Sequence, residues 1–194
     1  MELMPLGIEG SWLAHSPLMS DKRGYFREWF KVGDVQMSTG RRFIFEQANI
    51  SQSSRGTVRG IHYSMALGGQ AKWVTCVTGS IRDIIVDIRP NSKTFGQWID
   101  LQLTSESGNA VLIGEGLGHA FVSLEEKTTV AYLVSSGYSP KNEFTINPLD
   151  SEIQIDWGMD TSELIISDKD KFAPTLSERK FEGRLPLQNN LRTI

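Results

Sequence analysis

Short runs of β-branched and aromatic residues, separated by glycine-containing turns, recur through most of this chain, and amphipathic helical stretches are scarce. Runs of this kind occupy Ala71 to Thr78, Ile81 to Ile88, Gly96 to Leu103, Ala110 to Ile113, His119 to Leu124 and Thr128 to Ser135. Regular short strands with turn signals between them predict an all-β sandwich or barrel. The chain has 194 residues, enough to bury a substantial core, and no internal repeat of fixed period. We expect a single domain over residues 1–194. It has an N-terminal strand segment over 1–50, a barrel core over about 45–150 and a C-terminal helical extension over about 151–187. Ser167 is a plausible N-cap for a short helix in that extension. The polar end, Gln188 to Ile194, reads as a loose tail.

The sharpest local expectation is a hairpin at Gly79-Ser80, a two-residue turn between two strand-like runs. It would set Thr78 opposite Ile81, Cys76 opposite Asp83 and Lys72 opposite Asp87. Side chains alternate with period two, so Lys72, Val74, Cys76, Ile81, Asp83, Ile85 and Asp87 would share one face. A plain core would not tolerate those charges, and an outer face would not need those aliphatics. The mixture predicts the wall of a partly polar cavity. The other face, with Trp73, Thr75, Val77, Ile84, Val86 and Ile88, is strongly apolar, so both faces are expected to be covered.

Charge and cysteine content narrow the function classes. The net charge is −3, which gives no sign of a nucleic-acid or membrane surface. Any basic contacts to an anionic ligand must be local. One cysteine, Cys76, excludes an intramolecular disulfide and reads as a core residue. The first twelve residues lack the basic stretch of a signal peptide, and no apolar run reaches the ~18 residues of a membrane span. A cytoplasmic location is expected.

Three histidines are present: His15, His62 and His119. His15 reads as structural. His62 lies in Arg59-Gly60-Ile61-His62-Tyr63 and His119 in Gly116-Leu117-Gly118-His119-Ala120-Phe121. The metal-binding pattern of many barrels pairs histidines one residue apart and follows them with a glutamate. Here Ser64 stands two after His62, and two histidines alone fall short of the three protein ligands of a typical catalytic metal site. No metal is expected. No Gly-x-Ser-x-Gly elbow or P-loop is present. The glycines at 114, 116 and 118 do not open a helix, so a dinucleotide site fails on context.

Several segments together resemble the dTDP-4-dehydrorhamnose 3,5-epimerase family. Asp21-Lys22-Arg23-Gly24-Tyr25-Phe26-Arg27-Glu28 is similar to its D-x-R-G-x-F-x-E, and Gln47-Ala48-Asn49 to its Q-x-N. Val58 to Tyr63 resembles L-R-G-L-H-[YF], and Gln70-Ala71-Lys72 resembles Q-x-K. Val86-Asp87-Ile88-Arg89 through Thr94-Phe95-Gly96 resembles V-D-[IL]-R-x-x-S-x-T-[FY]-G. Gly116 to Phe121 is similar to G-F-A-H-G-F, and Ser167 to Pro174 to S-x-K-D-x-x-A-P. The likeness runs in order over residues 20 to 175.

The resemblance implies a double-stranded β-helix, a cupin-like jelly roll with short C-terminal helices, and a homodimer formed through exchanged N-terminal strands. It implies a dTDP-linked 4-keto-6-deoxyhexose as substrate, in deoxysugar biosynthesis, and catalysis without metal or organic cofactor. His62 resembles the base that removes a proton beside the C4 ketone. Asp83 resembles the carboxylate that orients that imidazole, Lys72 the cation at the developing enolate oxygen, and Tyr132 the acid on the opposite face. Arg23, Arg59 and Lys169 resemble basic contacts to substrate, and Glu28, Gln47, Asn49, His119, Tyr138 and Glu143 positions that line sugar or nucleotide. Strict alternation would set Arg59 and His62 on opposite faces, so a bulge at Gly60 is expected to re-aim Arg59.

The chain departs from the family at three points. Tyr132-Leu133-Val134-Ser135-Ser136-Gly137-Tyr138 replaces Y-K-x-T-x-x-Y, Ile146 to Asp150 replaces W-N-D-P, and Ile113-Gly114-Glu115-Gly116 replaces I-P-E-G. In this it resembles the branch that epimerises antibiotic deoxysugar precursors at C3 or C5 alone. A keto-sugar 3,4-isomerase and a non-catalytic nucleotide-sugar binder on the same barrel are the competing expectations.

Overall fold

The computed structural model describes residues 1–187. The expected tail, Gln188 to Ile194, lies outside them. Among these residues the strands are β1 (Glu2–Pro5), β2 (Ser11–His15), β3 (Met19–Asp21), β4 (Gly24–Phe26), β5 (Gln47–Ser53), β6 (Thr57–Ser64), β7 (Lys72–Thr78), β8 (Ser80–Asp87), β9 (Trp98–Thr104), β10 (Asn109–Ile113), β11 (Leu117–Ser123), β12 (Thr128–Val134), β13 (Glu143–Thr145) and β14 (Ile165–Ile166). The helices are α1 (Val32–Thr39), α2 (Asp168–Lys171) and α3 (Leu176–Phe181).

Two sheets carry the fold. One has the strand order β1-β2-β10-β7-β12-β5, and the other β13-β6-β11-β8-β9 with β14 added in parallel to β6. Strands β3 and β4 form a separate ribbon. The arrangement is the expected jelly roll, and the six runs expected as strands appear as β7 to β12 within two residues at each end.

The hairpin at Gly79-Ser80 is not formed. Strand β7 pairs with β10 and β12, whereas β8 pairs with β11 and β9. The chain rolls from one sheet to the other at Gly79, whose φ is +75° and where a Cβ would lie 2.6 Å from Thr128 Oγ1. Lys72 therefore does not face Asp87, which binds Arg89 through two 2.8 Å hydrogen bonds and accepts from Ser92 and Thr94. The shared face survives the correction. Rolling over the sheet edge keeps the expected residues pointing inward, even-numbered on β7 and odd-numbered on β8. Val74 and Cys76 of β7 and Ile81 and Ile85 of β8 all join the cluster packed between the sheets, with Leu103, Val111, Phe121 and Val130.

Both outer faces are covered, as the alternate apolar face required. Trp73, Ala110 and Leu112 pack under α1 and its flanking residues Phe30, Phe43 and Phe45. Ile84, Val86, Ala120 and Val122 pack under the C-terminal segment through Ile153, Trp157, Leu176 and Leu185. Each fully buried aliphatic or aromatic side chain contributes roughly 1.5–3 kcal/mol, so these covers stabilise the barrel as its interior does. Helix α2 starts at the expected N-cap, with Ser167 Oγ accepting from Asp170 N at 3.2 Å.

Candidate active site

A cavity of about 490 Å³ opens between the sheets, lined by Gln47, Asn49, Ser51, Arg59, His62, Gln70, Lys72, His119, Phe121, Tyr132, Val134, Tyr138, Glu143, Phe144, Thr145 and Lys169. Most of the expected site residues thus come together. Gln47, Asn49, Lys72 and Tyr132 come from β5, β7 and β12 of one sheet, and Arg59, His62, His119 and Glu143 from β6, β11 and β13 of the other. The two sheets therefore meet a ligand from opposite sides.

The bulge at Gly60 is present. Against β11, His119 pairs with His62 but Phe121 pairs with Arg59, so one extra residue of β6 lies between these pairs. Gly60 has φ +133°, and a Cβ there would lie 2.4 Å from Ala120 Cβ and 2.6 Å from the His119 carbonyl. Only glycine fits this approach. The offset brings Arg59 and His62 to one cavity. Arg59 is held by hydrogen bonds to Ser53 Oγ at 3.1 Å and the Gln52 carbonyl at 3.3 Å.

The expected pairing of Asp83 with His62 is corrected. Strand β11 lies between β6 and β8, so a side chain from β8 meets β11 first. Asp83 Oδ2 lies 2.7 Å from His119 Nε2, and Asp83 is fully buried. Burial raises the Asp83 pKa against the opposing pull of His119. The carboxylate at His62 is Asp170 of α2, with Oδ1 2.8 Å from His62 Nε2. Burial acts to raise the Asp170 pKa, but hydrogen bonds from His62, the Ser167 hydroxyl and the Gly60 backbone outweigh it, and the net shift is downward. An ionised carboxylate only accepts hydrogen bonds, so His62 donates from Nε2 to Asp170 and keeps Nδ1 for other work. Asp170 was missed because it stands 108 residues from His62 and, in sequence, looks like an ordinary first-turn helix acid. Its signal was its place beside Lys169 in the S-x-K-D run.

Lys72 is 7% exposed, and burial lowers its pKa against the pull of Glu143. Among the described residues its one hydrogen-bond acceptor is Gln70 Oε1, at 3.0 Å. Two ammonium hydrogens remain for a ligand. Burial raises the Tyr132 pKa; Arg59 opposes the shift and Glu143 adds to it, so the phenol keeps its proton at neutral pH. Tyr138 is exposed, and its backbone N–H donates to Gln47 Oε1 at 3.0 Å. Ser51 Oγ, Glu143 Oε1 and Thr145 Oγ1 are buried without a partner among the described residues. Also among the described residues, no three His, Cys, Asp or Glu side chains converge as a metal ion would require.

Two expected residues lie elsewhere. Arg23 sits in the exposed β3–β4 ribbon with its guanidinium on Asp21, and Glu28 is exposed beside Lys31. Neither lines the cavity of its own chain.

The arrangement suits proton transfer at a carbon held between the sheets, with a carboxylate-backed imidazole on one side and a phenol and an ammonium on the other. Comparison with known proteins agrees. A Streptomyces dTDP-4-dehydro-6-deoxyglucose 3-epimerase is 44% identical over 182 residues, covering 94% of this chain and 92% of that protein. The dTDP-4-dehydrorhamnose 3,5-epimerase of Mycolicibacterium smegmatis is 43% identical over 186 residues, covering 96% and 91%. The crystal structure of ChmJ, a 3'-monoepimerase from Streptomyces bikiniensis in complex with dTDP-quinovose, superposes with a TM-score of 0.92 at 42% identity, over 98% of this chain and 94% of that one. The sequence profile of dTDP-4-dehydrorhamnose 3,5-epimerases matches residues 5–178, and this chain belongs to that family.

Proposed function

We propose that this protein epimerises a dTDP-linked 4-keto-6-deoxyhexose beside its ketone, with His62 as base and Tyr132 as acid. The C4 ketone acidifies the C3 and C5 protons because the carbanion left behind is an enolate. His62 takes the proton on Nδ1, while Asp170 holds Nε2–H and stabilises the imidazolium. Lys72 directs its ammonium at the developing oxyanion, where a buried cation acts more strongly than in water. Tyr132 delivers a proton from the other sheet, and configuration inverts. The one observation that carries this reading is a single cavity lined by His62 from one sheet, with Asp170 of α2 behind it, and by Tyr132 from the other.

Arg59 and Lys169 are assigned to the diphosphate, and Gln47, Asn49, His119, Tyr138 and Glu143 to sugar and nucleoside. Arg23 and Glu28 are assigned to the cavity of a second copy. The exposed ribbon that carries Arg23 and leads into Glu28, with Tyr25 56% and Phe26 63% accessible, supports a homodimer in which it reaches the partner. The altered Ser135–Tyr138 loop favours inversion at one carbon.

Proton NMR of dTDP-4-keto-6-deoxyglucose in deuterium oxide tests the reading. Deuterium is expected at the inverted carbon. His62→Ala should abolish uptake, and Tyr132→Phe should slow inversion more than uptake. Equal uptake by wild type and His62→Ala would reject the base, deuterium at both carbons with inversion would reject single-carbon action, and a product with its ketone at C3 would make the protein a 3,4-isomerase.

A further inference from the structure

The loop that follows β12 is tied to the cavity at two points. Gln47 holds the Tyr138 backbone N–H, as described. Gln70 holds the loop two residues earlier, its Nε2 donating to the Ser136 carbonyl at 2.9 Å and to Ser136 Oγ at 3.2 Å. The other end of the same amide accepts from Lys72 Nζ at 3.0 Å. Gln70 is 8% exposed, so this bridge runs through the wall of the barrel rather than across its surface.

The orientation of this amide is forced at both ends. An ammonium has only hydrogens to offer and a carbonyl only lone pairs. The flipped amide would set NH2 against the ammonium and oxygen against the carbonyl. The neighbouring backbone fixes the loop too: Ser135 N donates to the Ala71 carbonyl at 3.0 Å, and Ala71 N to Ser135 Oγ at 2.8 Å. Gln70 is thus a short, buried strut with the catalytic-side cation at one end and the loop at the other.

We propose that Gln70 is a positioning residue that seats the Lys72 ammonium, and that through it the Ser135–Tyr138 loop sets where that ammonium stands. This rests on the role given to Lys72 above. It gives the loop, where this chain departs from Y-K-x-T-x-x-Y, a physical route to the chemistry. A cation displaced by about 1 Å from a developing oxyanion costs on the order of 10²-fold in rate. Changing Ser136 or its neighbours therefore alters more than the contact Tyr138 makes.

Two substitutions separate the ends of the strut. Gln70→Leu removes both. Gln70→Glu keeps an oxygen for Lys72 but opposes a carboxylate to the Ser136 carbonyl. The first measurement is the titration of the Lys72 side chain, followed by carbon NMR in the ligand-free protein. Besides residue 70, the titratable groups lining the cavity around Lys72 are Glu143, Tyr132, Tyr138, His62, His119, Arg59 and Lys169, and both substitutions leave them in place. The Lys72 pKa should fall in Gln70→Leu, which takes away its acceptor, and rise in Gln70→Glu. The second measurement is deuterium exchange. Both substitutions release the loop and should raise KM for the sugar substrate with dTDP affinity within about twofold, and Gln70→Leu, which also takes the acceptor from Lys72, should lower kcat about 10-fold or more further. An unmoved Lys72 titration in both variants would overturn the strut, and so would parallel losses of kcat and dTDP binding in both. If the wild-type protein exchanges no deuterium, the epimerase reading falls, while the Lys72 titration still decides whether Gln70 seats the cation.

Discussion

Two aspartates divide two imidazoles between them, and the division decides what each can do. Asp170 is drawn down into its ionised form by three hydrogen bonds and backs His62, whereas Asp83 is fully buried and backs His119. Asp170→Asn should therefore leave His62 in place but poorly able to carry a proton, slowing deuterium uptake on the order of 10²-fold or more. Asp83→Asn acts on His119 and should slow uptake less. Uptake rates for the two variants, measured side by side, check the assignment, and a larger loss at Asp83 would return that residue to His62. The histidines themselves were legible in the sequence, since short motifs carry them. Their partners were not: the imidazole and the carboxylate are brought together by strand order and by a helix that arrives late in the chain, and no local pattern records either.

Among the elements, β6 is the most constrained. Its bulge brings Arg59 and His62 to one cavity and depends on Gly60, where any side chain would strike Ala120. Gly60→Ala combines overpacking with a backbone angle that L-residues rarely adopt, and should destabilise the fold by about 2–4 kcal/mol. That corresponds to a Tm lower by roughly 5–15 °C, measurable by thermal denaturation. This bulge was legible because alternation and the expected roles of Arg59 and His62 conflicted, and only a glycine could resolve the conflict. The strands were legible for a similar reason, since β-branched and aromatic runs ended by glycine have few other ways to fold. The passage at Gly79 was not. Glycine followed by serine suits a turn within one sheet, and it suits equally a roll onto the facing one. Inward parity is the same in both cases, and only the distant partners β10, β11 and β12 distinguish them.

For the molecule as a whole, the placement of Arg23 and Glu28 matters most. Both lie on exposed backbone away from their own cavity, and the proposed dimer gives them work in the other copy. Light scattering should report a particle of twice the 21.7 kDa chain mass. Mixing settles the direction of exchange. Arg23→Ala and His62→Ala chains, each impaired alone, should regain activity when refolded together, because a mixed pair contains one cavity with both residues intact. If Arg23 serves its own chain, the mixture stays as impaired as its parts. No helix among the described residues is long and apolar enough to cross a membrane.

The union of His62 with Asp170 has a temporal consequence. The imidazole is made early by the ribosome, on the sixth strand, and its carboxylate 108 residues later. Strands β1 to β13 all precede α2 in the chain, so every strand of the two sheets but β14 is synthesised at least 20 residues before that carboxylate. On the proposed mechanism, a copy cut short before Asp170 would present His62 without its carboxylate and should exchange deuterium no faster than Asp170→Asn.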